Sequence, residues 1–380
     1  MIESTLPILY GRTSKGILKQ WEIKYFIDEH VSGVAYLSTR HGQLNGKKQD
    51  SIPRKVYGKN IGKTNQTTAL QQAELNAISK WKKQLDSNYR QSIEELDHLP
   101  DLPMLALKYT ERKHNIKWPA FAQPKLNGVR CFAEKIDEDT IRYTTRKGKE
   151  WKTLNYMDDY LTPIMNVGEK FDGEIFNPAL TFQEITSRAK RALGDRSNIE
   201  SDPVQFHIFD IVDKENPFSK RIETVKERVA AISKTVNPKY NPLIAVETKF
   251  VETEADLMSF HTQWTGLGYE GSMVRNANGM YVPDYRSPDL QKYKDFLDEE
   301  FEIVGGKEGE GKDEGTIVFK CITKDGKTFD PRPKGSWELR HKYWMDLPQL
   351  IGKQLTVRFQ NFSDDGIPIF PVGLHIRDYE

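Results

Sequence analysis

Alternating apolar and polar positions dominate residues 16–58. The segments KQWEIKYF and SGVAYLSTRHG have the two-residue period of half-buried strands, with glycine and asparagine between them. After Thr68 the period lengthens to that of an amphipathic helix, and Thr68 and Gln71 have the spacing of a capping box. The predicted helix places these apolar side chains on one face: Leu70, Ala73, Ala77, Ile78, Trp81 and Leu85. A small sheet with one helix is therefore predicted for this part of the chain.

The pattern changes twice more along the chain. Residues 91–101 (QSIEELDHLPD) are polar and contain Pro100, as expected of a linker. Strand-like and helix-like segments mix from about residue 102 to 296, and strand patterns recur from about residue 300: EFEIVGG, GTIVFKC, QLTVRFQ and PVGLHIRD. Several short strands separated by charged turns suit an OB-type barrel. We therefore predict three domains, at 1–95, 96–296 and 297–380.

Composition narrows the class of protein. The 380 residues, 37% hydrophobic and 29% charged, are typical of a globular chain with two or three cores. No apolar run approaches the roughly 18 residues of a membrane helix, and the N-terminus lacks the pattern of a secretion signal. Only two cysteines are present, Cys131 and Cys321, so a four-cysteine zinc site and a disulfide framework are excluded. A reducing, cytoplasmic setting is expected.

Charge is unevenly distributed although the net charge is only +1. Residues 1–90 contain fifteen Lys and Arg but seven Asp and Glu, a net charge of +8 that the rest of the chain offsets. Such asymmetry indicates either a nucleic-acid-facing module on a more acidic body or a solubilising surface. Charge alone does not decide between the two.

Five short segments carry candidate chemistry. In chain order they are PKLNGVR with Lys125, FDGEIF with Glu174, FHIFDIV with Phe209, YEGSMVR with Glu270, and LQKYKDF with Lys292 and Lys294. The last two lysines share a face if their segment is a strand. Each segment alone is compatible with solvated charge at the edge of a sheet, but that interpretation does not explain all five in this order.

Taken together, these segments resemble those of the covalent nucleotidyltransferases, which include ATP-dependent DNA ligases, RNA ligases and mRNA capping enzymes. The resemblance spans about residues 102–380. Lys125 takes the place of the nucleophilic lysine in the family pattern K-x-D-G-x-R, and Gly128 and Arg130 match it. Asn127 replaces the usual Asp, which removes a charge near the ribose and a metal-bound water. The segment YTTRKGKEW resembles the next family motif, with Arg146 as its basic residue.

The resemblance implies a role for each site residue. The implied catalytic residues are Lys125, Arg130, Lys292, Lys294 and Arg377. ATP would be bound by Lys125, Arg130, Lys292 and Lys294 of this set and also by Glu174, Phe209 and, through nearby backbone groups, Gln123. Glu174 and Glu270 would hold the metal, and Arg146, Arg130 and Asn127 would contact nucleic acid. ATP and Mg²⁺, or alternatively Mn²⁺, are the implied cofactors. Glu174 could instead hold the ribose hydroxyls.

Elementary chemistry agrees with these roles. A protonated lysine is a poor nucleophile, and nearby cations such as Arg130, Lys292 and Lys294 favour the neutral amine. Attack on the α-phosphate of ATP needs cations on the phosphates and on the leaving pyrophosphate. Mg²⁺ takes a few carboxylates plus waters, and an aromatic face such as that of Phe209 can stack on adenine.

Both ends of the chain add to the resemblance. The segment PIFPVGLHIRD resembles the last ligase motif, with Arg377 as its arginine, although Asp378 is followed by Tyr379 rather than by the usual lysine. In the resembling family the barrel closes over ATP and then swings away to clamp DNA, so the segment from Asp295 to Glu302 is the predicted hinge. Near the N-terminus, residues 10–12 (Tyr-Gly-Arg) resemble the Trp-Gly-Arg of WGR-like modules found in some viral ligases.

The predicted fold class is α+β: a nucleotidyltransferase (ATP-grasp-like) adenylylation domain plus a C-terminal OB-fold barrel, preceded by a small α+β DNA-binding module. The predicted function is an ATP-dependent DNA ligase that seals nicks in duplex DNA through a lysyl-AMP intermediate. A monomer of phage or viral type, acting in the host cytoplasm without a membrane, is expected. The alternatives are an RNA ligase, a GTP-using capping enzyme, or a non-catalytic DNA-binding protein on the same scaffold.

Overall fold

The computed structural model describes residues 2–13, 16–28, 30–98, 101–190, 204–232, 242–363 and 365–377. Its strands form four sheets, one at each end of the chain and two in the middle. No helix in these ranges combines the length and the apolar character that crossing a membrane requires.

The first sheet contains β1 (Ile2–Thr5), β2 (Leu9–Arg12), β3 (Leu18–Ile27), β4 (Val34–Gln43), β5 (Lys48–Asp50) and β6 (Arg54–Tyr57), and helix α1 (Ala69–Leu85) packs on it. The predicted capping box is confirmed: Thr68 accepts from the Gln71 N–H at 3.2 Å and the Gln71 side chain accepts from the Thr68 N–H at 2.9 Å. Ala73 and Ala77 of the helix are fully buried against the sheet. The expected sheet-plus-helix unit is therefore present.

The predicted linker 91–101 is more ordered than expected where it is described. Glu94–His98 form a 3₁₀ helix, and Asp97 accepts a hydrogen bond from Arg12 of β2 at 2.8 Å. Tyr10 and Arg90 also exchange backbone hydrogen bonds. This segment consequently packs on the first sheet before the chain enters the next one.

Two sheets form the middle of the molecule. One has the order β11-β10-β9-β12-β13-β14 and the other β15-β8-β16-β17-β7. Their strands are β7 (Leu105–Lys108), β8 (Ala120–Lys125), β9 (Val129–Lys135), β10 (Ile141–Thr145), β11 (Glu150–Trp151), β12 (Lys170–Phe176), β13 (Gln205–Ile211), β14 (Leu243–Ala245), β15 (Lys249–Val251), β16 (Gly271–Asn276) and β17 (Arg286–Tyr293). The helices are α2 (Tyr109–Arg112), α3 (Asp158–Leu161), α4 (Phe182–Ala189), α5 (Phe218–Ile232) and α6 (Glu254–Gly266).

The last sheet has the order β20-β19-β18-β22-β23-β21 and surrounds its own aromatic-rich core, as predicted for a barrel. Its strands are β18 (Leu297–Glu308), β19 (Ile317–Ile322), β20 (Thr328–Phe329), β21 (Arg332–Pro333), β22 (Gln354–Phe359) and β23 (Val372–Arg377). Helices α7 (Trp337–Met345) and α8 (Leu347–Leu350) precede β22 and were not predicted. In α7 large apolar side chains stand on exposed as well as packed positions, so its sequence lacks a clear amphipathic period.

The predicted hinge from Asp295 to Glu302 is mostly strand. Because β17 ends at Tyr293 and β18 begins at Leu297, only three residues, 294–296, separate the two strands. One of them is anchored, since His261 Nε2 lies 2.9 Å from Asp295 Oδ2. Any hinge between the central sheets and the barrel is therefore confined to this short connection.

Candidate functional site

Lys125 and Glu270 lie side by side at the ends of two paired strands. Lys125 is the last residue of β8, and Glu270 directly precedes β16, which is antiparallel to β8 with Gly271 opposite Lys125. The Glu270 N–H donates to the Lys125 carbonyl at 2.9 Å, and the two side chains form an ion pair. Strand pairing thus brings together residues 145 positions apart in the sequence.

The Glu270 carboxylate also contacts two further side chains, Lys294 and Gln360, which complete a compact cluster. Lys294 pairs with the oxygen, Oε1, that Lys125 does not use. The same oxygen accepts from Gln360 Nε2 at 2.8 Å, and Gln360 Oε1 accepts from Lys294 Nζ at 2.9 Å. Lys294 directly follows the last residue of β17 and so lies just outside the strand that carries Lys292.

Two glycines allow the chain to come this close. A Cβ on Gly128 would collide with the Ile175 carbonyl oxygen and lie 2.8 Å from Glu174 Cγ. Gly271 has a φ of +147°, and a Cβ there would collide with the Tyr293 carbonyl oxygen. Both glycines of the sequence motifs therefore have a steric reason.

Glu174 lies on β12 beside this cluster. Its Oε1 accepts from the Gly128 N–H at 3.2 Å, so it holds the loop that follows Lys125. Burial raises the pKa of Glu174 to about 7; Lys125 and Arg130 oppose the rise, and the negative charge of Glu270 adds to it. The raised pKa places the titration of this carboxyl near neutral pH.

The charges of the cluster shift one another. Burial alone would raise the pKa of Glu270, but Lys125 and Lys294 lower it below its ordinary value. Burial lowers the pKa of Lys294, and the nearby charge of Lys125 lowers it further. The pKa of Lys292 is lowered by burial and then by the charges of Lys294 and Lys125. Such excess positive charge suits an anionic substrate.

The Arg130 guanidinium is held by a buried carboxylate of the neighbouring strand. The guanidinium donates to both carboxylate oxygens of Asp172 on β12, at 2.9 and 2.6 Å, and Tyr281 donates to the same carboxylate at 2.7 Å. The Arg130 guanidinium also lies 5.3 Å from the Phe209 ring centroid. This arrangement supports a role in shaping the nucleotide pocket.

A second network of buried hydrogen bonds and ion pairs lies behind the residues that line the pocket. Asp210 accepts from Arg221 at 2.8 Å and from Arg275 at 2.6 Å, and Arg275 also donates to Gln123 Oε1 at 3.0 Å. The Gln123 amide in turn donates to the Phe209 carbonyl at 3.3 Å. The Gln123 side chain is thus engaged in hydrogen bonds within the protein, and the reading of the adenine edge by backbone groups near it stays a prediction.

Several of these supporting residues received no role from the sequence. Asp172 and Asp210 stand in the recognised segments, but nothing in their pattern revealed that they are buried partners of arginines. Tyr281 and Gln360 lie outside those segments. For Asp172 and Asp210, the only sequence feature that could have indicated a buried ion pair is an acidic residue within a mostly apolar strand.

The cluster opens into a cavity of about 530 Å³. Predicted site residues that line it are Gln123, Lys125, Arg130, Arg146, Glu174, Phe209 and Lys292, and further cationic side chains come from Lys147, Lys149, Arg275 and Arg286. Burial lowers the pKa of Arg146, and the charges of Arg130 and Arg286 lower it further. Asp86, at the end of α1, brings the N-terminal unit to the same cavity.

Two predicted residues belong neither to this lining nor to the cluster around Glu270. Arg377, on β23 of the barrel, donates to Thr356 at 3.0 Å and pairs with Glu300 at 2.8 Å. The side chain of Asn127 is exposed beside Gly128. The described structure thus joins the lysines and glutamates of the site but does not bring Arg377 to them.

A paired lysine and carboxylate beside a cation-lined cavity, together with a separate barrel, agrees with the expected class of covalent nucleotidyltransferases. A family model described as "ATP dependent DNA ligase domain" matches residues 103–294, and one described as "DNA ligase OB-like domain" matches residues 308–377. The chain belongs to the ATP-dependent DNA ligase family. Use of ATP and a divalent metal, and action on DNA, follow from this membership.

Individual relatives agree. The chain is 29% identical over 347 residues to the DNA ligase of African swine fever virus (isolate Pig/Kenya/KEN-50/1950), covering 86% of this chain and 79% of the relative. It is 27% identical over 250 residues to the DNA ligase of Enterobacteria phage T4, covering 54% and 51% of the two chains. The predictions of a ligase fold and function, and of viral or phage relatives, are confirmed.

Solved structures share the fold. A chain described as "Pmar-Lig_PreS3" superposes with a TM-score of 0.63 at 20% identity, over 73% of this chain and 68% of its own. A structure from a study of DNA binding by Lig E DNA ligases gives a TM-score of 0.58 at 24% identity, over 73% of this chain and all of its own (100%). The nucleotidyltransferase-plus-barrel architecture is thereby confirmed, whereas the WGR-like assignment of the N-terminal unit stays a prediction.

Proposed function

We propose that Lys125 is the residue that carries AMP during ligation. The observation behind this proposal is the cluster of Lys125, Glu270 and Lys294, in which Lys125 also lines the cation-lined cavity. The neutral Lys125 amine attacks the α-phosphorus of ATP; a P–N bond forms and the bond to pyrophosphate breaks. The 5′-phosphate of a DNA nick then displaces Lys125, and the 3′-hydroxyl displaces AMP to close the strand.

The ion pair with Glu270 bears on the first step. Lys125 is paired with the Glu270 carboxylate, so nucleophilic attack requires that this contact be broken and that the ammonium proton leave to solvent. Lys292 and Lys294 supply further positive charge near this ion pair. They are also placed to hold the phosphates of ATP, as the family resemblance implies.

Mg²⁺ is the metal that these residues fit best. Glu174 and Glu270 are close enough for the charge of one to raise the pKa of the other. In the described part of the chain no group of three or more His, Cys, Asp or Glu side chains could hold a metal by itself. Mg²⁺ commonly takes one or two carboxylates and completes its shell with substrate phosphates and waters. When bound, it would neutralise phosphate charge and polarise the α-phosphate.

The cavity wall supports the remaining roles. Phe209 is proposed to stack on adenine, with Arg130 fixed by Asp172 beside it. Arg146, which is exposed and lines the cavity, is proposed to contact the DNA phosphate, and the exposed Asn127 to lie near the same path. Glu174 either supports the metal or holds the ribose hydroxyls.

We further propose the division into residues 1–95, 96–296 and 297–380 as functional domains. The first would be a basic DNA-binding module of WGR-like type, the second would transfer the nucleotide, and the barrel would clamp the duplex. The positive charge of the first unit and its contact with the cavity through Asp86 support a role in holding a nicked duplex. A monomer working in the cytoplasm suffices for this scheme.

A labelling experiment tests the lysine. With radiolabelled ATP and Mg²⁺, the wild type is expected to form a covalent protein–AMP adduct whose P–N bond resists alkali and is cleaved by acid. Radiolabelled GTP is expected to give no adduct, and Lys125→Ala is expected to abolish the adduct formed with ATP. Lys113→Ala, which changes an exposed lysine of the same domain, is the matched control. Full labelling of the Lys125 variant would refute the assignment. A parallel sealing assay on nicked DNA and RNA duplexes separates DNA ligase from RNA ligase activity.

A further inference from the structure

Gln360 is a barrel residue that reaches the catalytic cluster of the central domain. It directly follows β22, whereas Glu270 and Lys294 flank strands of the other sheet. Its amide nitrogen donates to Glu270 Oε1 at 2.8 Å and its amide oxygen accepts from Lys294 at 2.9 Å. Both ends of this one side chain are therefore used, each on a different member of the cluster.

The backbone around Gln360 is fixed to the barrel. The Gln360 N–H donates to the Ile369 carbonyl at 3.1 Å, and the Ile369 N–H donates to the Asn361 carbonyl at 2.8 Å. Phe362, in the same hairpin, packs edge-on against the buried Phe359, with ring centroids 4.7 Å apart. The side-chain amide of Gln360 is therefore expected to move together with the barrel.

The cluster gains orientation from this contact. Lys294 is the first residue after β17, at the start of the short connection to the barrel, so its long side chain needs partners to define where its charge lies. With Gln360 in place, Oε1 of Glu270 is committed to Lys294 and the amide, and Oε2 is left to Lys125. Without the amide, Glu270 could rotate and Lys294 could pair with either oxygen.

We propose that Gln360 is a positioning residue for the transfer of AMP to Lys125, supplied by the barrel. It orients Glu270 and Lys294 when the barrel lies against the central domain, so that docking of the barrel completes the site. This proposal rests on the proposed roles of Lys125, Glu270 and Lys294. The opposite possibility is that Gln360 restrains the barrel and hinders the reaction.

The two possibilities differ in the sign of a rate change. Gln360→Ala is expected to lower the rate constant of self-adenylylation at saturating ATP about tenfold or more, because it removes hydrogen bonds to two charged groups. The KM for ATP is expected to change less than about twofold, because the amide does not line the cavity. Sealing of a nick whose 5′ end is already adenylylated is expected to keep its wild-type rate. A merely structural residue would slow both steps together.

Matched variants complete the test. Gln349→Ala removes the same side chain from an exposed site of the barrel and is expected to behave as wild type. Gln360→Glu keeps the length of the side chain and sets a second carboxylate against Glu270, so it is expected to slow self-adenylylation at least as much, even if the alanine variant is unstable. A faster first step in either Gln360 variant, an unchanged first step, or equal loss in both steps would each overturn the proposal. If Glu270→Ala loses the adduct while both Gln360 variants form it at the wild-type rate, the positioning role of Gln360 is wrong and the proposed function stands.

Discussion

Glu270 and Lys125 form an ion pair across two antiparallel strands, at the position where β8 ends and β16 begins. The backbone hydrogen bond from the Glu270 N–H to the Lys125 carbonyl fixes the spacing of the two side chains independently of their charges. The lysine proposed as nucleophile is therefore held beside a carboxylate by strand register. A substitution at Glu270 therefore changes the side chain beside Lys125 while this backbone hydrogen bond remains.

Glu270→Ala is expected to slow self-adenylylation by about 10²-fold or more, because it removes both a proposed metal ligand and the partner of two lysines. Glu270→Asp is expected to retain part of the rate. The measurement is single-turnover formation of the protein–AMP adduct over a titration of Mg²⁺. Glu252→Ala, at an exposed glutamate of the same domain, serves as control. An alanine variant with the wild-type rate at limiting Mg²⁺ would exclude a metal role.

Glu174 is expected to make stability depend on pH. Its folded-state pKa of about 7 lies above the ordinary value of 4.5, so its contribution to stability is full below about pH 4.5 and is lost as pH rises through 7. Relative to Glu174→Gln, the free energy of unfolding of the wild type should fall over this window, with a slope below about 1.4 kcal/mol per pH unit. Denaturant unfolding of both proteins without nucleotide or metal measures the difference. A difference that stays constant between pH 4 and 8 would contradict the shift.

Local sequence was sufficient for the elements that depend on short-range rules. The capping box at Thr68, the strands that carry Glu174 and Phe209, and the barrel strands follow from residue spacing alone. Gly128 was recognisable because a motif requires it, and the structure adds the reason, a strand carbonyl in the way of any side chain.

Contacts between distant segments were not predictable in the same way. The pairing of Arg130 with Asp172 depends on two neighbouring strands, and a pattern read along one strand does not contain it. The same holds for Gln360, whose contact with Glu270 spans 90 positions and two sheets. Helix α7 was missed because the burial of its side chains is not periodic. A motif of charged residues identifies candidate site residues, whereas tertiary packing decides which of their side chains stay accessible to a substrate.

The exposed lysines of the N-terminal unit offer a test of DNA binding. Deleting residues 1–95 should leave self-adenylylation intact, since the nucleotide motifs lie beyond residue 100, and should weaken binding to a nick. A finer test replaces Lys55, Lys59 and Lys63, all exposed, by Gln. If they contact phosphates, affinity falls and the slope of log K against log salt is reduced by roughly one per contact.

The charge-conserving triple Lys→Arg variant separates charge from shape. It is expected to keep both the affinity for nicked duplex and the salt slope, as measured by fluorescence anisotropy. Equal affinity for the Gln and Arg variants over the whole salt titration would mean that the positive charge of this unit serves solubility instead.

Arg377 gives the sharpest separation between steps. If it neutralises the leaving pyrophosphate when the barrel closes over ATP, Arg377→Ala should lower self-adenylylation by roughly 10²-fold or more. A nick supplied already adenylylated at its 5′ end needs no pyrophosphate release, so its sealing should be unchanged. Single-turnover assays of the two steps measure this ratio.

The pair with Glu300 provides the control for this prediction. In the structure Arg377 Nε lies 2.8 Å from Glu300 Oε1 on the barrel surface. Both side chains are more than a third exposed, at 39% and 35%. An exposed pair of this kind contributes about 0–1 kcal/mol to stability, so a purely structural Arg377 would give a small effect that Glu300→Gln reproduces. The pyrophosphate role instead requires that Glu300→Gln leave self-adenylylation at least as fast, because it frees the guanidinium. Equal loss in both variants, or failure of Arg377→Ala on the adenylylated nick, would assign Arg377 to the barrel surface and remove it from the chemistry.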